Sequence, residues 1–211
     1  MRYLAVDTAS KSMKVLLVYD DKKTYVELSD FKVASVSLMP TIDRCLSDLD
    51  VKLSDLDFFA CVIGPGSFTG IRIGMATIKA FAYVYSKPVV PVTSLELLAY
   101  NNSGEETILS IMDASNGMRY VAVYDEKMNV LLSPSCLSTA ELQEFLLTVD
   151  EPYGAYIDEI LSSEIKGIVP NNFEKAFSLA VENNFRSALD GNLLEPIYIR
   201  KPQAERDLEK K

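Results

Sequence analysis

With 211 residues, the chain can form one large domain or two small lobes. Its 30 acidic residues outnumber 21 basic ones, giving a net charge of -9. That balance argues against this chain being the main nucleic-acid surface, because phosphate binding needs clustered Lys and Arg. It has no histidine, so a Ser-His-Asp triad, a Cys-His pair or a histidine-ligated metal site cannot be built from it alone, although Asp and Glu could still hold magnesium.

A hydrophobic share of 48% predicts a packed core. No run of about 18 uncharged apolar residues occurs, so no membrane-spanning helix is expected. The start, Met1-Arg2-Tyr3-Leu4-Ala5-Val6-Asp7, meets an acid too early for a signal peptide and reads as a buried strand. Cys45, Cys61 and Cys136 show no close pairing and sit among apolar neighbours, which predicts reduced, buried thiols in a cytoplasmic protein.

In chain order, residues 3–6, 14–19 and 24–28 read as three strands separated by polar turns. A helix is expected over 36–49, where Leu38, Met39, Ile42, Cys45, Leu46 and Leu49 recur at three- and four-residue spacing. Pro40 fits only near its first turn or as a kink. A strand over 57–63 leads through a glycine-rich loop into a second helix over 70–85, then a short strand over 89–92. Thr93 and Glu96 have capping-box spacing.

After residue 104 the pattern restarts. Residues 107–113 and 118–125 match 3–7 and 13–20, with Asp7/Asp113, Met13/Met118 and Tyr19-Asp20/Tyr124-Asp125 lining up with a one-residue difference in length. Two unrelated hairpins would give the same pattern over so short a stretch. A true repeat makes two lobes, divided as 1–98 and a smaller, degenerate 99–211. Each lobe then opens with a three-stranded meander followed by helices. The β-β-β-α-β-α order of the first lobe belongs to the actin-like or ribonuclease-H-like α/β architecture.

Two regions could carry function. The loop Ile63-Gly64-Pro65-Gly66-Ser67-Phe68-Thr69-Gly70 turns from a strand into a helix, where free amides could hold a phosphate. It is neither a Walker A loop nor a dinucleotide fingerprint, and a tight turn with Ser67 or Thr69 as cap explains it equally. Asp7 and Thr8 resemble the first phosphate turn of actin-like ATPases, so Asp7, Thr8, Gly64, Gly66, Ser67, Thr69 and Gly70 form a candidate, vestigial phosphate site. The second region is the helix over 70–85, whose only charges are Arg72 and Lys79. So little polar face fits either a central helix buried inside its own lobe or, the sharper reading for a lobe of this size, a partner surface made with the neighbouring helix, through Leu38, Ile42, Cys45, Ile71, Gly74, Met75, Ile78 and Phe81.

The run Ile63-Gly-Pro-Gly-Ser-Phe-Thr-Gly-Ile-Arg-Ile-Gly74 resembles the signature of the TsaB (YeaZ) family, small relatives of the TsaD transferase. Leu4-Ala5-Val6-Asp7-Thr8-Ala9, Pro91-Val92-Thr93-Ser94-Leu95-Glu96, Val121-Ala122-Val123-Tyr124 and the closing stretch from Glu195 to Glu205 are similar to other parts of that family. Residues 139–192 match weakly. Many family members carry His-Ser where this chain has Ala34-Ser35, and their Asp-Ala-Arg-Arg is here Asp113-Ala114-Ser115-Asn116.

The resemblance implies a non-catalytic scaffold subunit of the machinery that makes threonylcarbamoyladenosine (t6A) on tRNA. It implies a TsaD-type transferase as partner and holder of the metal, a TsaE-type ATPase as third subunit, and a homodimer when the chain is alone. Contact with tRNA is then indirect. No catalytic residue, metal or cofactor is expected in this chain, with ATP or ADP at an interface with partners the one exception left open. An actin-like ATPase or kinase using Asp7 and the 64–70 loop is the alternative. A glycoprotease-type peptidase lacks a nucleophile pair, and a nuclease would need carboxylates such as Asp7 and Asp57 brought together.

Overall fold

The computed structural model describes residues 1–29, 34–102, 104–149, 153–163, 165–170 and 172–200. The last residues of the closing stretch, 201–205, and the charged end, 206–211, lie outside these. Packing divides the chain into two units, one of Met1–Ser94 with Phe177–Ile197 and one of Leu95–Ala176 with the residues after 197. A single cut after residue 98 therefore does not describe the molecule, because residues 177–197 return to complete the first unit.

In the first unit, β1 (Arg2–Asp7), β2 (Met13–Tyr19) and β3 (Lys22–Leu28) form the expected meander. They are followed by α1 (Ala34–Leu49), β4 (Phe58–Val62), α2 (Phe68–Tyr85) and β5 (Val89–Val92). The sheet order is β3-β2-β1-β4-β5, with β2 antiparallel to its neighbours and β4 and β5 parallel to β1. Tyr3, Leu4, Ala5 and Val6 are all buried, which is why β1 reads as a continuous apolar run: both faces of the sheet are covered. On one face Phe59 lies 5.7 Å from Phe81 of α2. On the other, Tyr3 stacks on Phe58 at 5.0 Å and Phe58 meets Phe185 at 4.9 Å. Leu189 pairs with Val89 and closes the β5 edge.

Helix α1 starts two residues earlier than the apolar spacing indicates, which makes Pro40 its seventh residue, at the end of the second turn, instead of the fifth, next to the first turn. Pro40 has no N–H to give the Val36 carbonyl, and both residues lie on the exposed side of the helix, where water can serve instead. Ser67 caps α2 by accepting a hydrogen bond from the Gly70 amide at 3.1 Å, and Ser86 ends it in the left-handed conformation at φ 52°.

The second unit opens with α3 (Ser94–Ala99), at the boundary between the two. It continues with β6 (Thr107–Asp113), β7 (Met118–Asp125), β8 (Val130–Ser138), α4 (Thr139–Leu146), β9 (Tyr153–Ile157) and the first turn of α5 (Phe173–Asn184). Its sheet order, β8-β7-β6-β9, reproduces β3-β2-β1-β4 with the same strand directions. The internal repeat is therefore real, and among the described residues the fifth-strand position of the second copy holds only a single parallel bridge, from Ile168 to Tyr156 of β9. Alternation along β6 sends Ile108 and Met112 to a cluster with Leu95 and Leu98 of α3. Leu109 and Ile111 face the opposite cluster with Leu142 of α4. A reciprocal capping box between Ser138 and Glu141 starts α4.

Candidate functional site: a closed strand-end turn and an exposed helix pair

Asp7 ends β1 completely buried. Its Oδ1 accepts the Ala9 amide at 2.8 Å, and its Oδ2 accepts the Ser10 hydroxyl and the Lys14 ammonium, the latter at 3.2 Å. Lys14 faces Asp7 across the β1–β2 register and is only 2% exposed. Its Nζ also donates to Ser10 Oγ at 3.2 Å and the Ser12 carbonyl at 3.4 Å, with Glu27 Oε1 at 3.8 Å. A buried carboxylate needs such partners, and here the chain supplies them all.

The glycine loop packs directly on this turn. Thr8 Oγ1 donates to the Gly70 carbonyl at 2.6 Å, and the Ser67 amide donates to the Ala9 carbonyl at 2.8 Å. A Cβ at Gly66 would overlap the Ala9 carbonyl oxygen, and one at Gly70 would overlap that of Thr8. Backbone against backbone is the reason for glycine at these positions. Gly64, at φ +106°, turns the chain so that its carbonyl accepts the Ser94 amide at 2.9 Å. Thr69 is exposed, and Ser67 alone makes the cap.

The structure thus brings Asp7, Thr8, Gly66, Ser67 and Gly70 together, but in a form that does not fit a nucleotide phosphate. The Ser67 and Gly70 amides are engaged within the chain, the glycine spaces hold the Thr8–Ala9 backbone, and the carboxylate is neutralised by Lys14. Asp57 takes no part, since its carboxylate accepts the Arg2 amide at 3.0 Å. That is the far end of β1, about 16 Å of strand from Asp7.

The second unit carries the same device. Asp113 faces Arg119 in the β6–β7 register, and Arg119 Nη1 donates to its Oδ1 at 3.2 Å. Arg200 reaches the turn from the closing stretch and donates to the carbonyls of Ala114 and Ser115. The arginines that meet this turn, whose own residues are Ser115 and Asn116, come from β7 and the closing stretch. Lys14 and Arg119 are the residues the sequence reading misses. The signal was present: in both copies a basic residue follows the aligned methionine, Met13 or Met118.

The residues expected to face a partner are mostly core. Leu38, Ile42, Cys45, Ile71, Gly74, Met75 and Ile78 are buried within their own unit, and Phe81 is half-buried against Phe59. A charge at Gly74 or Ile78 would disrupt the fold rather than report on a partner. Gly74 in particular lies against Thr8, Val6 and Cys61. The exposed sides of the two touching helices are different residues: Ser35, Val36, Met39 and Pro40 on the first half of α1, with Asp43, Arg44, Ser47 and Asp48 on its second half, and Arg72, Ala76, Ala80, Tyr83 and Val84 on α2. Val36 is 69% and Tyr83 78% exposed, and Arg72 lies over the Phe68 ring at 3.9 Å.

A family model described as TsaD, tRNA N6-adenosine threonylcarbamoyltransferase, matches residues 32–185. A Bacillus subtilis protein named tRNA threonylcarbamoyladenosine biosynthesis protein TsaB is 29% identical over 97% of this chain and 96% of its own length. The chain belongs to the TsaB (YeaZ) family. The Escherichia coli protein of the same name is 31% identical over 61% of the chain and 57% of its own length. YeaZ from Pseudomonas aeruginosa, a solved structure at 22% identity, has the same fold, with a TM-score of 0.73 over 93% of this chain and 99% of that one. The two repeated sheets give this TsaB-family chain the two-lobed actin-like architecture expected from its strand order. Among the described residues, no helix is long and apolar enough to cross a membrane.

Proposed function

We propose that this chain acts in the biosynthesis of threonylcarbamoyladenosine on tRNA as a non-catalytic scaffold subunit that binds and activates a TsaD-type transferase. The observation that carries the reading is the exposed α1–α2 surface. Two adjacent helices present Val36, Met39, Ala76, Ala80, Tyr83 and Val84 to solvent, and the exposed charges beside them are Arg72 on α2 and Asp43, Arg44 and Asp48 on the second half of α1. Large apolar and aromatic side chains exposed on a neighbouring pair of helices mark an association surface, and small Ala76 and Ala80 let a partner helix approach closely. A stable interface needs roughly 800 Å² per partner, which a helix pair can supply. The same surface accounts for a homodimer when the transferase is absent.

Catalysis belongs to the partner in this reading. The strand-end carboxylate is neutralised within the chain, and no histidine is available. A TsaE-type ATPase completes the machinery, and any nucleotide requirement lies with the partners.

Light scattering after gel filtration, with the chain alone and then mixed with the TsaD-type protein of the same organism, tests the proposal. A one-to-one complex is expected, lost in Ala76→Glu and Tyr83→Glu and kept in Leu131→Glu on exposed β8. Absence of a complex with the unaltered chain, or undiminished binding by both α2 variants, would overturn it.

A further inference from the structure

We infer that Lys14 is a built-in counter-cation, its ammonium standing in a cage of oxygens that would otherwise suit a divalent metal ion. Around Nζ lie a carboxylate oxygen of Asp7 at 3.2 Å, the hydroxyl of Ser10 at 3.2 Å and the carbonyl of Ser12 at 3.4 Å. A carboxylate oxygen of Glu27 follows at 3.8 Å. Carboxylate, hydroxyl and carbonyl oxygens are the donors that hard cations such as magnesium, calcium and manganese select. Lysine suits the replacement better than arginine would, since its charge is a compact point with three donors rather than a planar fork.

The cage is itself braced. Glu27 accepts from Ser12 Oγ at 2.5 Å and from the Tyr25 hydroxyl at 2.7 Å, so its position does not depend on Lys14 alone. Asp7 is fixed by the Ala9 amide and by the glycine loop closing on Thr8 and Ala9. Removing the lysine side chain would therefore leave a hole lined by oxygens, two of them from carboxylates.

The internal repeat supplies an independent observation. At the aligned position of the second unit, Arg119 is 5% exposed and pairs with Asp113. Two copies that have diverged in most other respects both neutralise the strand-end aspartate from the first position after the aligned methionine. A basic residue placed by chance on β2 would not recur there. The device makes each turn self-sufficient in charge, and it stands whether or not the α1–α2 face binds a transferase.

The test is Lys14→Ala, with manganese chloride as the probe. The wild-type chain should show no manganese-dependent rise in melting temperature. Lys14→Ala should melt lower, bind one manganese ion per chain by isothermal titration calorimetry, and recover most of the lost melting temperature. Asp7→Asn with Lys14→Ala should abolish both responses. Lys14→Met keeps the stem, loses the charge and fills the cage; it should fold less stably and ignore manganese. If Lys14→Ala is unfolded on its own, refolding by manganese supports the inference, and failure to refold overturns it. So does a folded Lys14→Ala that ignores manganese, a wild-type response that Asp7→Asn removes, or a Lys14→Met as stable as wild type.

Discussion

Replacing Gly70 by alanine tests the contact on which the candidate site rests. The new Cβ would overlap the Thr8 carbonyl oxygen and come within 3.0 Å of its carbon, and both are backbone atoms that cannot rotate away. Either α2 lifts off the turn or the turn unwinds, and the 2.6 Å bond from Thr8 Oγ1 to the Gly70 carbonyl is lost in both cases. Overpacking of this kind costs about 1–3 kcal/mol, and a lost buried hydrogen bond costs about 1 kcal/mol more. Alanine's better helix propensity returns up to about 1 kcal/mol. The net loss is about 2 kcal/mol, or roughly 10 °C of melting temperature for a unit of this size. Far-UV circular dichroism melts would read it, since the chain has no tryptophan to follow. Thr8→Val isolates the hydrogen bond and should cost about 1 kcal/mol. Gly117→Ala meets no neighbouring atom within 4 Å and bears only the cost of its left-handed backbone at φ +70°, about 1 kcal/mol. A Gly70→Ala protein that melts with the wild type would refute the packing of loop on turn.

Tyr3 is completely buried, and burial raises its phenol to about 12 from the usual 10. Its folded form therefore favours the neutral ring, so this contribution is fully present below pH 10 and lost as pH rises from 10 towards 12. Urea unfolding across that range should show a steeper alkaline loss in wild type than in Tyr3→Phe. Burial also raises the thiols of Cys45 and Cys61, with the Asp7 charge adding to the effect on Cys61. Of the three cysteines only the half-buried Cys136 should react quickly with a thiol reagent in the native state, and all three should react in denaturant. Rapid reaction of more than one native thiol would contradict the burial of Cys45 and Cys61.

Much of the fold was legible because it is written in runs and repeats. Strands covered on both faces, such as β1 and β4, spell continuous apolar segments, and the paired Asp, Met and Tyr positions announce the second meander before any coordinates. Ser67 as a cap is equally local. The side of α2 that faces the sheet was not legible, because that helix is apolar nearly all round. Its largest aliphatic residues were assigned to a partner when they are core. The exposed side is marked by small Ala76 and Ala80 and by amphipathic Tyr83, which carry little weight in a hydrophobic pattern. Lys14 was hidden for the opposite reason: a lone charge in an apolar strand looks solvent-facing, and only the pairing with Asp7 shows otherwise. The return of residues 177–197 does begin with a helical signal that the sequence reading passes over, Ala176, Phe177, Ala180 and Val181, all buried. Such spacing does not say which unit it covers, and the rest works through single contacts such as Phe185 on Phe58 and Leu189 on Val89.

That return has a consequence for how the protein is made. Synthesis runs from the amino end, so the ribosome releases β1 to β5 long before Phe185, Leu189 and Gly191 exist. Until then Phe58 and the β5 edge have no cover, and the Ile63 carbonyl waits for the amide of Ile197. The second unit is built mainly from Leu95 to Ala176 and can begin to settle first, although Arg200, which holds its Ala114–Ser115 turn, arrives with the end of the chain, and the first unit is finished only when Ile197 emerges. A nascent chain stalled near residue 100 should be held by chaperones and cut readily by protease, whereas the same residues in the full-length product are protected.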